Sequence, residues 1–304
     1  MDLPTIRQLE YAVAVDEHRH FGRAADALHV SQPGLSAQIR ELERRLRVAL
    51  FERSRAATRP TAAGVEILGR ARVVLREVTD LVHAAASHLD TVRGTVRVGA
   101  IPTIAPYLLS AVARHLHHAW PEADLELVEL RTSELVAAVD TGALDVGVLA
   151  TPVDTGALVV ADLAFEPFAL AVAADHDLAG AVSVRPDALV DVDLLLLEDG
   201  HCLRDHALAA CRLAGSAEHR EVHNASLAVL AQMVATSGAA TLLPAHAVPV
   251  EARPGSGLVT VPLDDERAGR TLSLVWRPTD PRGAAYEASV EGLAATVTQR
   301  AAEL

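Results

Sequence analysis

The chain contains no lysine: all 27 basic residues among its 304 are arginine, set against 40 acidic ones for a net charge of −13. That acidity excludes indiscriminate adhesion to nucleic acid or to anionic membrane, but leaves room for a local basic region. Cysteine is nearly absent, and two residues cannot build the disulfide framework of a small secreted scaffold. No apolar run approaches the roughly 18 residues of a membrane span. Met1 to Tyr11 carries Asp2, Arg7 and Glu10 where a secretion signal needs an apolar stretch. The expectation is a soluble cytoplasmic protein with no membrane partner. Also missing are a Gly-rich phosphate loop before a helix, a nucleophile-elbow serine and paired-cysteine zinc spacing, which points away from an enzyme and from any cofactor or metal. His115, His117 and His118 read as solvent-facing residues of an amphipathic helix rather than as ligands.

What is present is a chain that is half apolar and 22% charged, able to bury a core over about two domains. Residues 1–60 carry a net +2 and residues 61–304 a net −15, and residues 40–59 hold seven arginines against Glu41, Glu43 and Glu52. A small polyanion-binding module attached to an acidic body fits this distribution; so does an ordinary solvated arginine-rich helix.

Within residues 1–60, Thr5 can cap a first helix bearing Ile6, Leu9 and Val13, and Phe21 to Leu28 reads as a second helix whose Ala24-Ala25 pair permits close crossing. His29-Val30 make a short turn. Ser31 then caps a third helix with Pro33 in its first turn. Leu35, Ile39, Leu42 and Leu46 form its buried face, with Gln32, Pro33, Ser36, Ala37, Arg40 and Arg44 on the opposite ridge. Polar side chains at the start of a helix after a tight turn suit readout of base edges. Arg53, Arg55 and Arg59 in the loop beyond suit phosphate or minor-groove contact. A generic three-helix domain would share the apolar spacing, but not the polar ridge and basic loop together.

Over residues 61–92, Leu68, Ala71, Leu75, Val78, Val82, Ala85, Leu89 and Val92 alternate at spacings of three and four, the repeat of a coiled-coil seam. A self-associating helix roughly 45 Å long is predicted. Its two-fold dimer would present two recognition helices to a palindromic double-stranded DNA site.

Residues 93–304 alternate between strand-like and helix-like segments. The strands are Thr95–Gly99, Leu125–Leu130, Leu144–Leu149, Phe168–Ala173, Leu194–Leu197 and Thr271–Trp276; the helices are 107–119, one capped by Thr132, one after Gly200, and 226–236. Mostly parallel sheets with helices on both faces are predicted. A breaker at Glu166-Pro167 and loose sequence over 249–269 suggest lobe I at 93–165 and 269–304, and lobe II at 166–268. Thr103 and Thr132, just past the first two strands, are placed for a ligand.

Both cysteines fall between Glu198 and Cys211. Cys202 follows Gly200 and His201 at an expected helix N-terminus and precedes Arg204 and Asp205, so the helix dipole and cationic neighbours are expected to lower its pKa and make it reactive. Cys211 lies in apolar Ala209–Leu213, where a thiol is buried and inert, so Cys202 would be attacked first. The plain alternative is two ordinary core cysteines. In an intact helix the pair would stand about 14 Å apart along the axis and on opposite faces. A disulfide tolerates Cα separations of only about 4.4–6.8 Å, so any bridge between them requires the segment to unwind.

Phe21-Gly-Arg-Ala-Ala-Asp-Ala-Leu-His-Val-Ser-Gln-Pro-Gly-Leu-Ser-Ala-Gln-Ile-Arg-Glu-Leu-Glu43, with Leu50-Phe-Glu-Arg53 and Pro60-Thr-Ala-Ala-Gly64, resembles the winged helix-turn-helix of the LysR-type bacterial transcription regulators. Gly200-His-Cys-Leu-Arg-Asp205, Ile101-Pro-Thr103 and Arg270 to Pro278 resemble the peroxide-sensing members of that family. The resemblance implies an all-α winged helix-turn-helix (1–60), a dimerisation helix (61–92) and a two-lobed α/β effector domain (93–304) like a periplasmic binding protein. It implies DNA contacts from Ser31, Gln32, Pro33, Ser36, Gln38, Arg40, Arg53 and Arg55, a homodimer or tetramer, and promoter activation with RNA polymerase. It further implies that hydrogen peroxide oxidises Cys202 to a sulfenic acid that Cys211 condenses into a disulfide. Thr103, Thr132, His201, Arg204, Asp205 and Arg270 would hold the peroxide or the thiolate. A LysR-type regulator with a small organic effector in the interlobe cleft, and a thiol peroxidase, are the other readings.

Overall fold

The structure, a computed structural model, describes residues 3–53, 58–87, 92–198, 202–212, 219–222 and 225–303. They form two compact units, Met1–Ala85 and Ala86–Leu304.

In the first unit, α1 (Ile6–His18), α2 (Phe21–Ala27) and α3 (Gln32–Leu46) precede β1 (Phe51–Arg53), β2 (Thr58–Pro60) and α4 (Ala62–Ser87). The helices start where their caps dictate. Thr5 Oγ1 accepts from Gln8 N–H at 3.2 Å while Gln8 Oε1 accepts from Thr5 N–H, and Ser31 Oγ accepts from Gly34 N–H at 3.3 Å. Leu35, Ile39 and Leu42 on α3 are buried with Leu9, Ala12, Val15, Ala24 and Ala25. The module is not all-α: β1 and β2 pair antiparallel, with Glu52 opposite Arg59, because the arginine-rich stretch turns back and satisfies its backbone as a hairpin. Gly64 lets α4 start against this hairpin, since a Cβ there would lie 2.1 Å from the Leu50 carbonyl oxygen.

Along α4 the seam divides. Leu68 and Ala71 are buried against the first unit's core and Leu75 packs at its edge, whereas Val78 and Val82 are exposed. Leu89 and the side chain of Ala85 lie outside the described residues. Val92 does not continue the helix as the heptad count predicts. It is buried in the second unit, immediately before β3, where the apolar demand of the sheet outweighs the repeat.

The second unit runs β3 (Arg93–Ala100), α5 (Ala105–Ala119), β4 (Glu122–Glu129), α6 (Thr132–Thr141), β5 (Val146–Thr151) and β6 (Val159–Ala173). A 3-10 turn at 186–191 leads to β7 (Leu194–Leu197), α7 (Cys202–Arg212), β8 (His219–Val222), α8 (Leu227–Ser237) and β9 (Ala240–Pro244). Then come α9 (Val248–Glu251), β10 (Leu258–Pro262), β11 (Gly269–Trp276) and α10 (Gly283–Glu303). The strand order is β4-β3-β5-β11-β6-β9-β7-β8, with β10 also on β6.

The expectation of mostly parallel pairing is corrected. β3 with β4 and β5, and β7 with β8 and β9, are parallel, but every ladder of β6 and β11 is antiparallel. The links 152–158 and 263–268 that lead into these strands hold no crossover helix, so the chain reverses instead. Nor is Glu166-Pro167 a break. β6 runs through it, and only its partners change: β11 up to Pro167, then β9 from Phe168 and β10 from Ala169. Proline can sit there because the pairing hands over at that residue, where its missing N–H leaves no ladder bond unmade. The stretch 249–269, read as loose, contains α9 and β10.

Candidate functional site

Four elements of the second unit converge on Cys202. It opens α7, and its thiol is free and only 5% exposed. Thr132 opens α6 after β4 and its hydroxyl hydrogen-bonds the Cys202 sulfur. Thr103 lies between β3 and α5 and is buried. Arg270, near the start of β11, is fully buried, donating from Nη1 to Thr103 Oγ1 at 2.7 Å and from Nη2 to the Thr103 carbonyl at 3.1 Å.

The sequence-based expectation of a Cys202 with a lowered pKa is corrected. Burial pushes its pKa up; Arg270 and the Thr132 hydrogen bond pull the other way without overcoming it. The relevant cation is Arg270, from the far end of the chain, rather than neighbouring Arg204. Arg204 lies 3.4 Å from Asp205, whose side chain is 75% exposed and whose negative charge works against the thiolate. His201 lies outside the described residues. Both cysteines belong to one helix, α7 (Cys202–Arg212), so their backbones stand nine positions apart on an unbroken coil, about 14 Å of rise. The Cys211 side chain, expected to be buried and inert, lies outside the described residues.

Sequence reasoning missed the groups behind Arg270. Glu166 Oε2 accepts from Arg270 Nε at 2.7 Å, and Glu166 Oε1 accepts from the His246 backbone N–H at 3.1 Å and from His246 Nδ1 at 2.7 Å. His246 Nε2 meets the Val297 carbonyl at 3.1 Å. Burial works to raise the Glu166 pKa, but Arg270 and His246 outweigh it and hold it below the ordinary value. Burial likewise opposes the charged His246 ring, and Glu166 overcomes it and raises that pKa. A carboxylate inside the apolar run Leu163–Ala173 was the available signal. Tyr107 donates to Glu251 Oε1 at 2.7 Å beside this network, and burial raises its pKa. His206, one turn beyond Cys202, is buried with Nε2 at 3.0 Å from the Pro152 carbonyl. Its spacing of four from Cys202 would have placed it on the same face.

The other candidate surface lies on the first unit. Ser31, Gln32, Pro33, Gln38 and Arg40 of α3 are exposed and Ser36 is half-buried. Gln38 Oε1 also accepts from Gln8 Nε2 at 3.1 Å, tying α3 to α1. Arg44 and Arg45 both grip Glu41, whose carboxyl falls to about 2 through those hydrogen bonds, so the arginine count overstates the positive field. Arg59 is exposed on β2, while Arg55 and the Arg53 side chain lie outside the described residues.

Among the described residues no group of three or more His, Cys, Asp or Glu could hold a metal ion, and no helix is long and apolar enough to cross a membrane. His117 and His118 are exposed, and His115 is half-buried: it packs on Gly292 of α10, where a Cβ would meet its ring at 2.3 Å, and it contacts Thr296 Oγ1 at 3.3 Å.

Residues 6–65 match the family model of the bacterial regulatory helix-turn-helix proteins of the lysR family, and residues 90–297 match that of the LysR substrate binding domain. The chain is 43% identical over 290 residues to the DNA-binding transcriptional dual regulator OxyR of Escherichia coli K12, covering 95% of each chain. A full-length cysteine-to-aspartate variant of OxyR from Pseudomonas aeruginosa superposes with a TM-score of 0.79 at 33% identity, covering 98% of this chain and 95% of that one. A hydrogen-peroxide-bound cysteine-to-serine OxyR from Corynebacterium glutamicum gives 0.68 at 33% identity, covering 99% and 95%. With both halves matched in order and a relative this similar along nearly its whole length, the chain belongs to the LysR family of bacterial helix-turn-helix regulators.

Proposed function

We propose that this chain is a DNA-binding transcription regulator that senses hydrogen peroxide through Cys202 and Cys211. The observation that carries the proposal is the placement of both cysteines on one intact helix, the first of them buried against Thr132 and near the Arg270 cation. Peroxide entering this site would have one oxygen attacked by Cys202 sulfur, breaking the O–O bond and leaving a sulfenic acid and water. Cys211 would then attack that sulfur and expel a second water as the disulfide forms. Thr103, Thr132 and Arg270 are placed to hold the peroxide and the departing oxygen; His201, Arg204 and Asp205 would complete the mouth of the site.

Because a bridge cannot span α7 while it is coiled, oxidation must unwind it, and the second unit passes between two packings. We read 93–165 with 269–304, and 166–268, as two lobes of a periplasmic-binding-protein-like domain hinged where β6 changes partner. The exposed ridge of α3, with Gln32, Pro33, Ser36 and Arg40, would enter the major groove while Arg53 and Arg55 approach the backbone from the wing. Exposed Val78 and Val82 on α4 support pairing with a second copy, so that two ridges meet a palindromic site and oxidation alters how RNA polymerase is engaged. Footprinting one promoter fragment with reduced and peroxide-treated protein, together with mass mapping, tests the reading. A Cys202–Cys211 bridge with a changed footprint supports it; no bridge, or an unchanged footprint, overturns it.

A further inference from the structure

A buried thiol whose pKa burial has raised is a poor nucleophile near neutral pH, because the thiolate is the attacking species. Arg270 stabilises that thiolate but, as a permanent cation, cannot take the proton away. The site therefore lacks a proton acceptor unless another buried group provides one.

His206 has the right form. It is 3% exposed and lies one helical turn after Cys202 on α7. Helical side chains lean back toward the preceding turn, so its ring lies over the Cys202 turn. Its Nε2 is 3.0 Å from the Pro152 carbonyl. A carbonyl only accepts, so in the neutral ring Nε2 carries the hydrogen and Nδ1 carries the lone pair. That Nδ1 is buried and has no hydrogen-bond partner among the described residues. The charged groups acting on the ring are Arg270, from β11, and Asp205, on its own helix. Arg270 acts electrostatically on both Cys202 and His206, pulling both pKa values down. Burial lowers the His206 pKa and Arg270 adds to the effect, outweighing the Pro152 carbonyl and Asp205, which raise it; the net shift favours the neutral ring with its lone pair available.

We propose that His206 Nδ1 is the proton acceptor that activates Cys202 and then the proton donor to the leaving oxygen. The Cys202 S–H proton passes to Nδ1 through the bound peroxide or one bridging water, since sulfur and Nδ1 are not in hydrogen-bond contact with each other. The sulfur attacks one peroxide oxygen, the S–O bond forms, the O–O bond breaks, and the departing hydroxide takes the proton back from Nδ1 as water. Sulfur is oxidised to the sulfenic acid, peroxide is reduced, and the ring ends neutral.

This inference rests on the peroxide-sensing reading, and its test separates the two. The rate of sulfenic acid formation on Cys202 is measured with hydrogen peroxide from pH 6 to 9 in the full chain carrying Cys211→Ser, alone and with His206→Gln. Glutamine keeps a donor for the Pro152 carbonyl but cannot titrate. With His206 the rate should level off above neutrality. With glutamine it should be roughly a hundredfold lower at pH 7 and climb about tenfold per pH unit, because free hydroxide must then ionise the thiol. Parallel pH profiles in the two proteins overturn the proposal, since a merely structural histidine would change the rate and leave the slope alone. Should the glutamine variant misfold, the profile with His206 intact decides: a tenfold rise per unit from pH 7 to 9 is incompatible with an internal base. No sulfenic acid at any pH would sink the sensing reading itself.

Discussion

Arg270 and Glu166 stand directly opposite each other on β11 and β6, and their side chains close a buried ion pair, Nε to Oε2 at 2.7 Å, midway along β6 where its partners change. This pair fixes the guanidinium that Thr103 and Cys202 use. Removing Arg270 leaves the buried Glu166 carboxylate with His246 as its remaining cationic partner and Oε2 without its hydrogen bond, so Arg270→Met should destabilise the second unit by about 3 kcal/mol in urea unfolding. Arg270→Met combined with Glu166→Gln should recover much of that loss, because the carboxylate is then gone and His246 can give up its proton rather than stay charged alone. Cys202 should remain sluggish toward iodoacetamide in both variants. A double variant as unstable as the single one would show that the pair is not the cause.

His246 carries a charge by hydrogen-bond bookkeeping: Nδ1 faces the Glu166 carboxylate at 2.7 Å and Nε2 the Val297 carbonyl at 3.1 Å, and both partners accept. Its folded pKa is raised, so the stability it contributes is fully present below the unfolded value, about 6.5, and is lost as pH rises through the folded value. The urea midpoint of the second unit should therefore fall above neutrality, and the His246→Gln variant should flatten that decline. Glu166, whose pKa is depressed, works at the other end: its contribution is lost as pH falls through its folded value. An unchanged slope in the glutamine variant would assign the pH dependence elsewhere.

These two residues also mark where the sequence stopped being readable. Thr5, Ser31, Leu35, Ile39 and Leu42 announce their helices because caps and apolar spacing are local, and the structure starts or buries them accordingly. Cys202 stands at a helix start as its local sequence predicts, but the direction of its pKa is not a local property, since the burial that raises it comes from segments distant in sequence. Pro167 looked like a break because proline is judged locally, whereas the hand-over from β11 to β9 is a property of the sheet. The helix α10 went unread because Tyr286, Leu293 and Val297, the buried anchors, are spread among alanines.

The cysteine pair gives an asymmetric prediction. Cys202→Ser should abolish the peroxide response, while Cys211→Ser should leave Cys202 oxidisable and drive it on to sulfinic and sulfonic acids, read by intact mass. In the unsubstituted protein, peroxide should strip hydrogen-exchange protection from α7 (Cys202–Arg212) before other helices of the second unit, because the bridge cannot form across a coiled segment. Bridge formation with α7 still protected would contradict that geometry.

On α4, Leu68 and Ala71 are spent on the first unit's own core, but Val78 and Val82 leave their apolar faces in solvent, Val82 59% exposed. A three-four seam left uncovered in a single chain suits a twin helix, whose burial would remove those side chains from water on both copies. Val78→Glu with Val82→Glu should therefore convert the protein to monomer by sedimentation equilibrium, since like charges would face each other across the two-fold axis. Helix content should survive, because neither residue contributes to the buried core and glutamate is a good helix former. Affinity for a palindromic site should fall by at least about a hundredfold, since each half-site would be held without the effective concentration that a linked partner provides. Affinity for a single half-site should not change. A variant that stays dimeric would move the self-association surface off α4.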